Sequence, residues 1–144
     1  MHRKPYARPV LVITLEAFLA VQAVYGGVNL VLDSWHLDRT EISRLPMVDS
    51  WAVPGVAVAA GIGAPMAVAA WLELAARPAA AAMTAAVGTL LVSWIGLQLL
   101  VLPSMHLWLQ PVCAAAGVVL AVSGTRRLAR QHVDRSVPLL EPRR

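Results

Sequence analysis

The stretch PAAAAMTAAVGTLLVSWIGLQLLVLPSMHLWLQPVCAAAGVVLAVSGT, residues 78–125, runs for 48 positions without an Asp, Glu, Lys or Arg. About 20 apolar residues cross the hydrocarbon of a bilayer, so this run is long enough for two crossings. Pro103-Ser104-Met105-His106 is its only polar, turn-forming break, and proline disfavours a helix continuing through it. The run therefore divides into one span over about 79–101 and another over about 105–125. Lipid offers the backbone no hydrogen bonds, so the spans are predicted to be helices. The short alternating segments of a membrane barrel are absent.

Two more apolar runs lie upstream. One covers about 10–32, between a basic start and Asp33; the other covers about 51–74, with no charge between Asp49 and Glu73. Each of the four runs extends about 31 to 36 Å as a helix. The whole chain of 144 residues is 58% hydrophobic and 14% charged, against about 25% charged in a typical soluble domain. The reading is an all-α integral membrane four-helix bundle. It has one transmembrane domain, 9–125, with an N-terminal segment 1–8, a loop 33–50 and a basic, fraying tail 126–144. The first run is long and is followed by no A-x-A site, which reads as a signal anchor rather than a cleaved signal. Within the loop, 34–45 has a weak pattern for a short surface helix. The Ala75-Ala76-Arg77-Pro78 connection predicts a tight hairpin between spans two and three.

Charge sets the orientation. With the N-terminus in the cytoplasm, ten basic residues lie inside: Arg3, Lys4, Arg8, Arg77, Arg126, Arg127, Arg130, Arg135, Arg143 and Arg144. Only Arg39 and Arg44 lie outside. The positive-inside rule then predicts a bacterial cytoplasmic membrane protein with both termini in the cytoplasm and loop 33–50 outside. The net charge of +4 marks topology beside anionic lipid. Nucleic acid is not an expected partner, because the basic residues flank apolar spans and no recognition motif accompanies them.

Helices in lipid gain little by burying apolar surface, so close packing and polar contacts must join them. Gly55, Ala59, Gly63, Ala67 and Ala70 form a small-residue stripe in span two. Ala114, Gly117, Ala121 and Gly124 form another in span four, and Gly88 and Gly96 lie in span three. Pro54 falls in a first turn, where a missing N–H costs little, whereas Pro65 is mid-span and predicts a kink.

Polar residues at membrane depth are functional candidates by default. Gln22, Tyr25 and Asn29 follow helical spacing on span one. Trp94 precedes Gln98 by one turn, and His106 precedes Gln110 by one turn. Asn29, Gln98 and Gln110 fall toward the outer leaflet, with Tyr25, Trp94, His106 and Trp108 nearby, and together with Gln22 on the Tyr25–Asn29 face they define a candidate polar pocket. The competing reading is that the amides simply link helices and the aromatic residues anchor the interface. Glu16 is the one ionisable group well inside a span, about 10 Å from the cytoplasmic end. A charge at a span centre costs about 2.5 to 3.5 kcal/mol, which asks for a partner in Arg8, Arg126 or Arg127, or for a proton. Glu73 lies four residues before Arg77, a spacing that suits an ordinary helical ion pair.

Other chemistry has no foothold. Cys113 is the single cysteine, which excludes an internal disulfide and C-x-x-C chemistry. No zinc-protease, nucleotide-binding, nucleophile-elbow or haem motif occurs. His2, His36, His106 and His132 are scattered, and the acidic loop matches no calcium loop, so no metal and no cofactor is expected.

The pattern Tyr25-Gly26-Gly27, Asp49, Pro54-Gly55, Trp94-Ile95 with Gln98, and Trp108-Leu109-Gln110-Pro111 resembles a recurring set of small four-span bacterial integral membrane proteins. The resemblance covers about residues 10–122 and implies the bundle without implying an activity. The stretch 35–47 departs from that set, which has a shorter, apolar loop there. A weaker likeness is to small multidrug-resistance transporters, which are similar in having four spans and an acidic residue in the first, where Glu16 stands. The glycine-rich, tryptophan-bearing pattern of their third span is missing here.

Two functions follow as expectations. The first is a non-enzymatic structural or accessory protein that binds a second membrane protein or another copy of itself among membrane lipids. The second is a small transporter or binder of a hydrophobic molecule or lipid, using Glu16 or the outer amides. The topology is checked by single-cysteine labelling in a Cys113→Ser background. A cysteine in loop 33–50 should react with an impermeant maleimide on intact cells, and one at the C-terminus should react only after permeabilisation.

Overall fold

The computed structural model describes residues 9–36, 48–101 and 109–136. They form four helices in an up-and-down bundle: α1 (Val10–Val31), α2 (Ala52–Leu74), α3 (Ala80–Val101) and α4 (Leu109–Ser136). All four are long and apolar enough to cross a membrane, in α4 over Leu109–Val133. The all-α four-helix fold predicted from composition is the fold observed. The Pro103–His106 break, the candidate surface helix 34–45 beyond His36 and the extreme tail from 137 lie outside the described residues. The first part of the tail, from Arg126, is helical. α4 continues without interruption to Ser136, because Arg, Ala, Leu and Gln favour helix and no proline intervenes before Pro138.

The helix ends are set by local backbone geometry. At the end of α2, Arg77 N–H donates to the Leu72 carbonyl (3.0 Å) and Ala76 N–H to the Glu73 carbonyl (3.1 Å), with Ala76 at φ 49°. At the end of α1, Ser34 N–H donates to Asn29 (3.0 Å) and Asp33 N–H to Leu30 (3.2 Å), with Asp33 at φ 52°. Both are Schellman caps with a left-handed residue that is not glycine. The α2 cap stops the helix before Arg77 and turns the chain directly into α3.

α2 is α-helical over Ala52–Val58 and Ala64–Leu74 and π-helical over Ala59–Gly63. Pro65 supplies the cause. It has no N–H to give the carbonyl of Gly61, and its ring would press on that carbonyl in a regular α turn. The kink expected at Pro65 is taken up as a wider π turn just ahead of it. The extra residue rotates everything beyond by about 100°. The effect is visible on the small-residue stripe. Gly55 and Gly63 are buried against α1, but further down Met66, Ala69 and Ala70 are buried and Ala67 is exposed.

The bundle is built from two tight pairs, α1 with α2 and α3 with α4, joined less extensively along α2–α3 and α1–α4. Glycine sets both tight interfaces. A Cβ on Gly27 would come within 2.5 Å of the Gly55 carbonyl, and a Cβ on Gly55 within 2.6 Å of the Gly27 carbonyl. Across α3–α4, a Cβ on Gly88 would strike the Ala121 backbone, and one on Gly124 the Ala85 backbone. Between the pairs lies a core of Leu19, Met66, Val87, Leu91 and Leu120. Outside, Leu11, Phe18, Val56, Trp71 and Leu100 are among many large exposed apolar side chains. Helices that are apolar all round suit a lipid solvent.

The two kinds of glycine should respond differently to an added methyl group. Gly88→Ala should cost about 1 to 3 kcal/mol by overpacking. Gly96→Ala, whose Cβ meets open space, should be neutral or stabilising by up to about 1 kcal/mol. Reversible unfolding in mixed micelles, followed by circular dichroism, separates the two.

Candidate functional site

At the end where α1 and α3 begin and α2 finishes, each helix contributes one polar side chain to a single cluster. Glu16 of α1 has no exposed surface, Thr84 of α3 has none, and Glu73 of α2 is 4% exposed. Arg127 of α4 is partly buried. Thr84 Oγ1 lies 2.7 Å from Glu16 Oε1 and 2.9 Å from Glu73 Oε1. Arg127 Nη1 donates to the same Glu73 Oε1 at 2.5 Å and forms an ion pair with it. Its Nε donates to the Ser123 carbonyl (3.3 Å), which fixes the guanidinium against its own helix.

The contacts run across the bundle as well as around it. No Cα atoms of α1 and α3 come within 8 Å of each other, and none of α2 and α4 do, among the described residues. Glu16–Thr84 therefore spans one diagonal and Glu73–Arg127 the other, with Thr84–Glu73 joining them. Long side chains bridge what backbones cannot.

Proton counting constrains the cluster. A threonine hydroxyl carries one hydrogen and two acceptor sites, so it cannot donate to both carboxyl groups at once. Either one acceptor is unserved or a second proton sits on a carboxyl group. Glu73 already receives the Arg127 cation, so the arrangement that serves every short contact puts the second proton on Glu16. Glu16 Oε1–H then donates to Thr84, and Thr84 Oγ1–H donates to Glu73. Two polar atoms still have no partner, Glu16 Oε2 and Arg127 Nη2.

Some sequence expectations change here. Of the partners considered for Glu16, Arg8 lies outside the described residues and Arg126 is exposed; Arg127 reaches the cluster but pairs with Glu73. Glu73 is not an ordinary i,i+4 partner of Arg77, because the Schellman cap ends the helix between them. The Arg77 guanidinium instead stands 6.0 Å from the centre of the Trp71 ring.

The described residues of the candidate outer pocket are spread over differently buried positions. Gln22 and Tyr25 are exposed on α1, while Leu19, Ala20 and Gly27 take its inner face. Asn29 donates to the Tyr25 carbonyl of its own helix (2.8 Å). Trp94 packs against the core, Gln98 is half-buried and Gln110 is buried. No hydrogen bond joins Gln22, Asn29, Gln98 and Gln110 among the described residues, and His106 lies outside them. The three polar residues of α1 do share a helical face, but Gln22 and Tyr25 on it point out of the bundle and Asn29 is half-buried.

Thr84 had no distinguishing mark in the sequence. The available signal was depth: in an up-and-down bundle, a residue early in span one, late in span two and early in span three lie at one level. Among the described residues no three His, Cys, Asp or Glu side chains gather as metal ligands. Comparison with protein-family models, curated proteins and solved structures finds no match for this chain.

Removing one partner of a buried ion pair strands the other. Arg127→Met should destabilise the protein by about 3 to 5 kcal/mol, and adding Glu73→Gln should recover most of that loss. A double-mutant cycle in micelles measures both.

Proposed function

We propose that the protein is a proton-linked carrier or binder of small hydrophobic molecules in a bacterial cytoplasmic membrane, with both termini in the cytoplasm. Glu16 is the group that gains and loses the proton. One observation carries this reading: the cluster holds two buried carboxyl groups and one partly buried guanidinium. Glu73, Thr84 and Arg127 tie α2, α3 and α4 with charges that cancel, and a neutral amide on α1 could hydrogen-bond Thr84 without bringing an ionisable group. Glu16 adds a second carboxyl group with no cation of its own among the described residues. An unpaired carboxylate at this depth is costly, and the group earns its place by exchanging a proton. The lipid-facing surface suits an apolar substrate that enters from the membrane. The ten basic residues against two support the orientation, which puts Glu16 at the cytoplasmic side.

A second reading rests on a different feature. Gly61 of α2 and Gly96 of α3 are exposed, and a Cβ on either would meet nothing within 4 Å. Bare small residues facing lipid suit contact with another membrane helix, as an accessory, non-enzymatic subunit requires.

Uptake by proteoliposomes under a proton gradient distinguishes the two. With a hydrophobic fluorescent amine as probe, the wild-type protein should concentrate the dye. Glu16→Gln should reduce uptake at least tenfold, to the level of protein-free liposomes. Equal uptake by Glu16→Gln removes Glu16 from the mechanism. No uptake by the wild type, with a second protein or copy retained through purification in mild detergent, favours the accessory subunit.

A further inference from the structure

We propose that Thr84 is a proton relay between Glu16 and Glu73, and that the position of the shared proton determines whether α4 is clamped to α2. The proposal rests on Glu16 being the proton-exchanging group, and adds how its proton is passed and what that does to the bundle.

The geometry places one hydroxyl oxygen within hydrogen-bond distance of both carboxyl groups, 2.7 Å on one side and 2.9 Å on the other. A hydroxyl can accept a proton on one side while it gives its own away on the other. The step balances without any other reactant. The Glu16 Oε1–H bond breaks and its proton forms a bond to Thr84 Oγ1. The original Thr84 O–H bond breaks and its proton forms a bond to Glu73 Oε1. No electrons leave the cluster and its total charge is unchanged. Only the location of the negative charge moves, from Glu73 to Glu16.

That relocation has a mechanical consequence. No Cα atoms of α2 and α4 approach within 8 Å, so side chains bridge the two helices, and the Glu73–Arg127 ion pair spans that gap. A protonated Glu73 no longer neutralises Arg127, whose Nη2 already lacks a partner. The clamp loosens, and Glu16 becomes the carboxylate with Oε2 open to a new donor.

Among the described side chains, the electrostatic surroundings of the relay are few. α1 contributes Glu16 alone at this end, α2 contributes Glu73, and α3 contains no charged residue. α4 contributes Arg127, with Arg126, Arg130 and His132 exposed beyond it. Arg77, in the turn between α2 and α3, is engaged on Trp71.

The test uses full-length protein in lipid bilayers. Infrared difference spectra across pH report the protonated carboxyl group. Spin labels at Leu74→Cys and Ala129→Cys, both exposed positions in a Cys113→Ala background, report the α2–α4 separation. In the wild type a carboxylic acid band should be present, and the label separation should change over the same pH range in which that band titrates. Glu16→Gln should abolish the band and make the separation independent of pH. Thr84→Ser, which keeps the hydroxyl, should titrate within about twofold of the wild type in proton concentration. Thr84→Val, nearly the same shape without the hydroxyl, should shift the midpoint at least tenfold and uncouple the separation from it.

A wild-type protein with no acid band, or with a separation that does not follow the band, overturns the relay. So does a Thr84→Val protein that behaves as the wild type. If Thr84→Val does not fold, the wild-type and Glu16→Gln measurements decide alone. Dye uptake is a separate readout: coupling without uptake leaves the relay standing and removes the carrier function. Glu16-dependent uptake without coupling does the reverse.

Discussion

Everything in this bundle depends on how closely its backbones can approach. Lipid is as apolar as leucine, so burying a leucine between two helices gains little over leaving it outside. What remains is dispersion between surfaces that fit, and that requires the absence of side chains at the crossing. Gly27 against Gly55, and Gly88 and Gly124 against the backbone of their partner helices, meet that condition. The resulting pairs, α1–α2 and α3–α4, are the rigid halves of the molecule. The polar cluster sits where the halves meet, and could not close if either pair were held further apart.

The cluster then does what apolar packing cannot. Adjacent helices in a four-helix ring touch; diagonal ones do not. Glu16 to Thr84 and Glu73 to Arg127 cross both diagonals at one end, through side chains whose length is useful only because the ends are buried. In a low-dielectric setting such a network specifies one arrangement of four helices, since each alternative leaves a charge or a hydroxyl without its partner. The same setting makes the second carboxyl group conspicuous. Tying α1 into the network requires only a hydrogen-bonding group opposite Thr84, and Glu16 brings a second carboxyl group to that position.

The π turn in α2 links the two features. Gly55 and Glu73 lie 18 residues apart, which is five turns of regular helix. A regular α2 would therefore put both on one face. Pro65 forces the wider turn at Ala59–Gly63, and the lower half of the helix is rotated relative to its glycine face. One proline thus separates the part of α2 that packs on α1 from the part that presents a carboxyl group to α3 and α4.

Fold class, number of spans, the choice of helix and the cost of placing Glu16 inside a span were all legible in the sequence, because they depend on local quantities. Hydropathy over about 20 residues decides whether a segment crosses lipid, and a lone acid in such a segment is costly wherever its neighbours are. Partners are a different matter. Glu73 stands four residues from Arg77, but a left-handed Ala76 ends the helix first and Arg127, distant in sequence, takes the carboxylate. Gln22 and Tyr25 lie on one helical face in any reading, but only the packing of α1 on α2 determines that they lie outside the bundle. Thr84 is an ordinary threonine until three other helices bring Glu16, Glu73 and Arg127 to its level. Composition and period settled what the segments are; which side chains hydrogen-bond one another was decided by the tertiary structure, because a hydrogen bond depends on distances of a few ångströms that no spacing along one helix encodes.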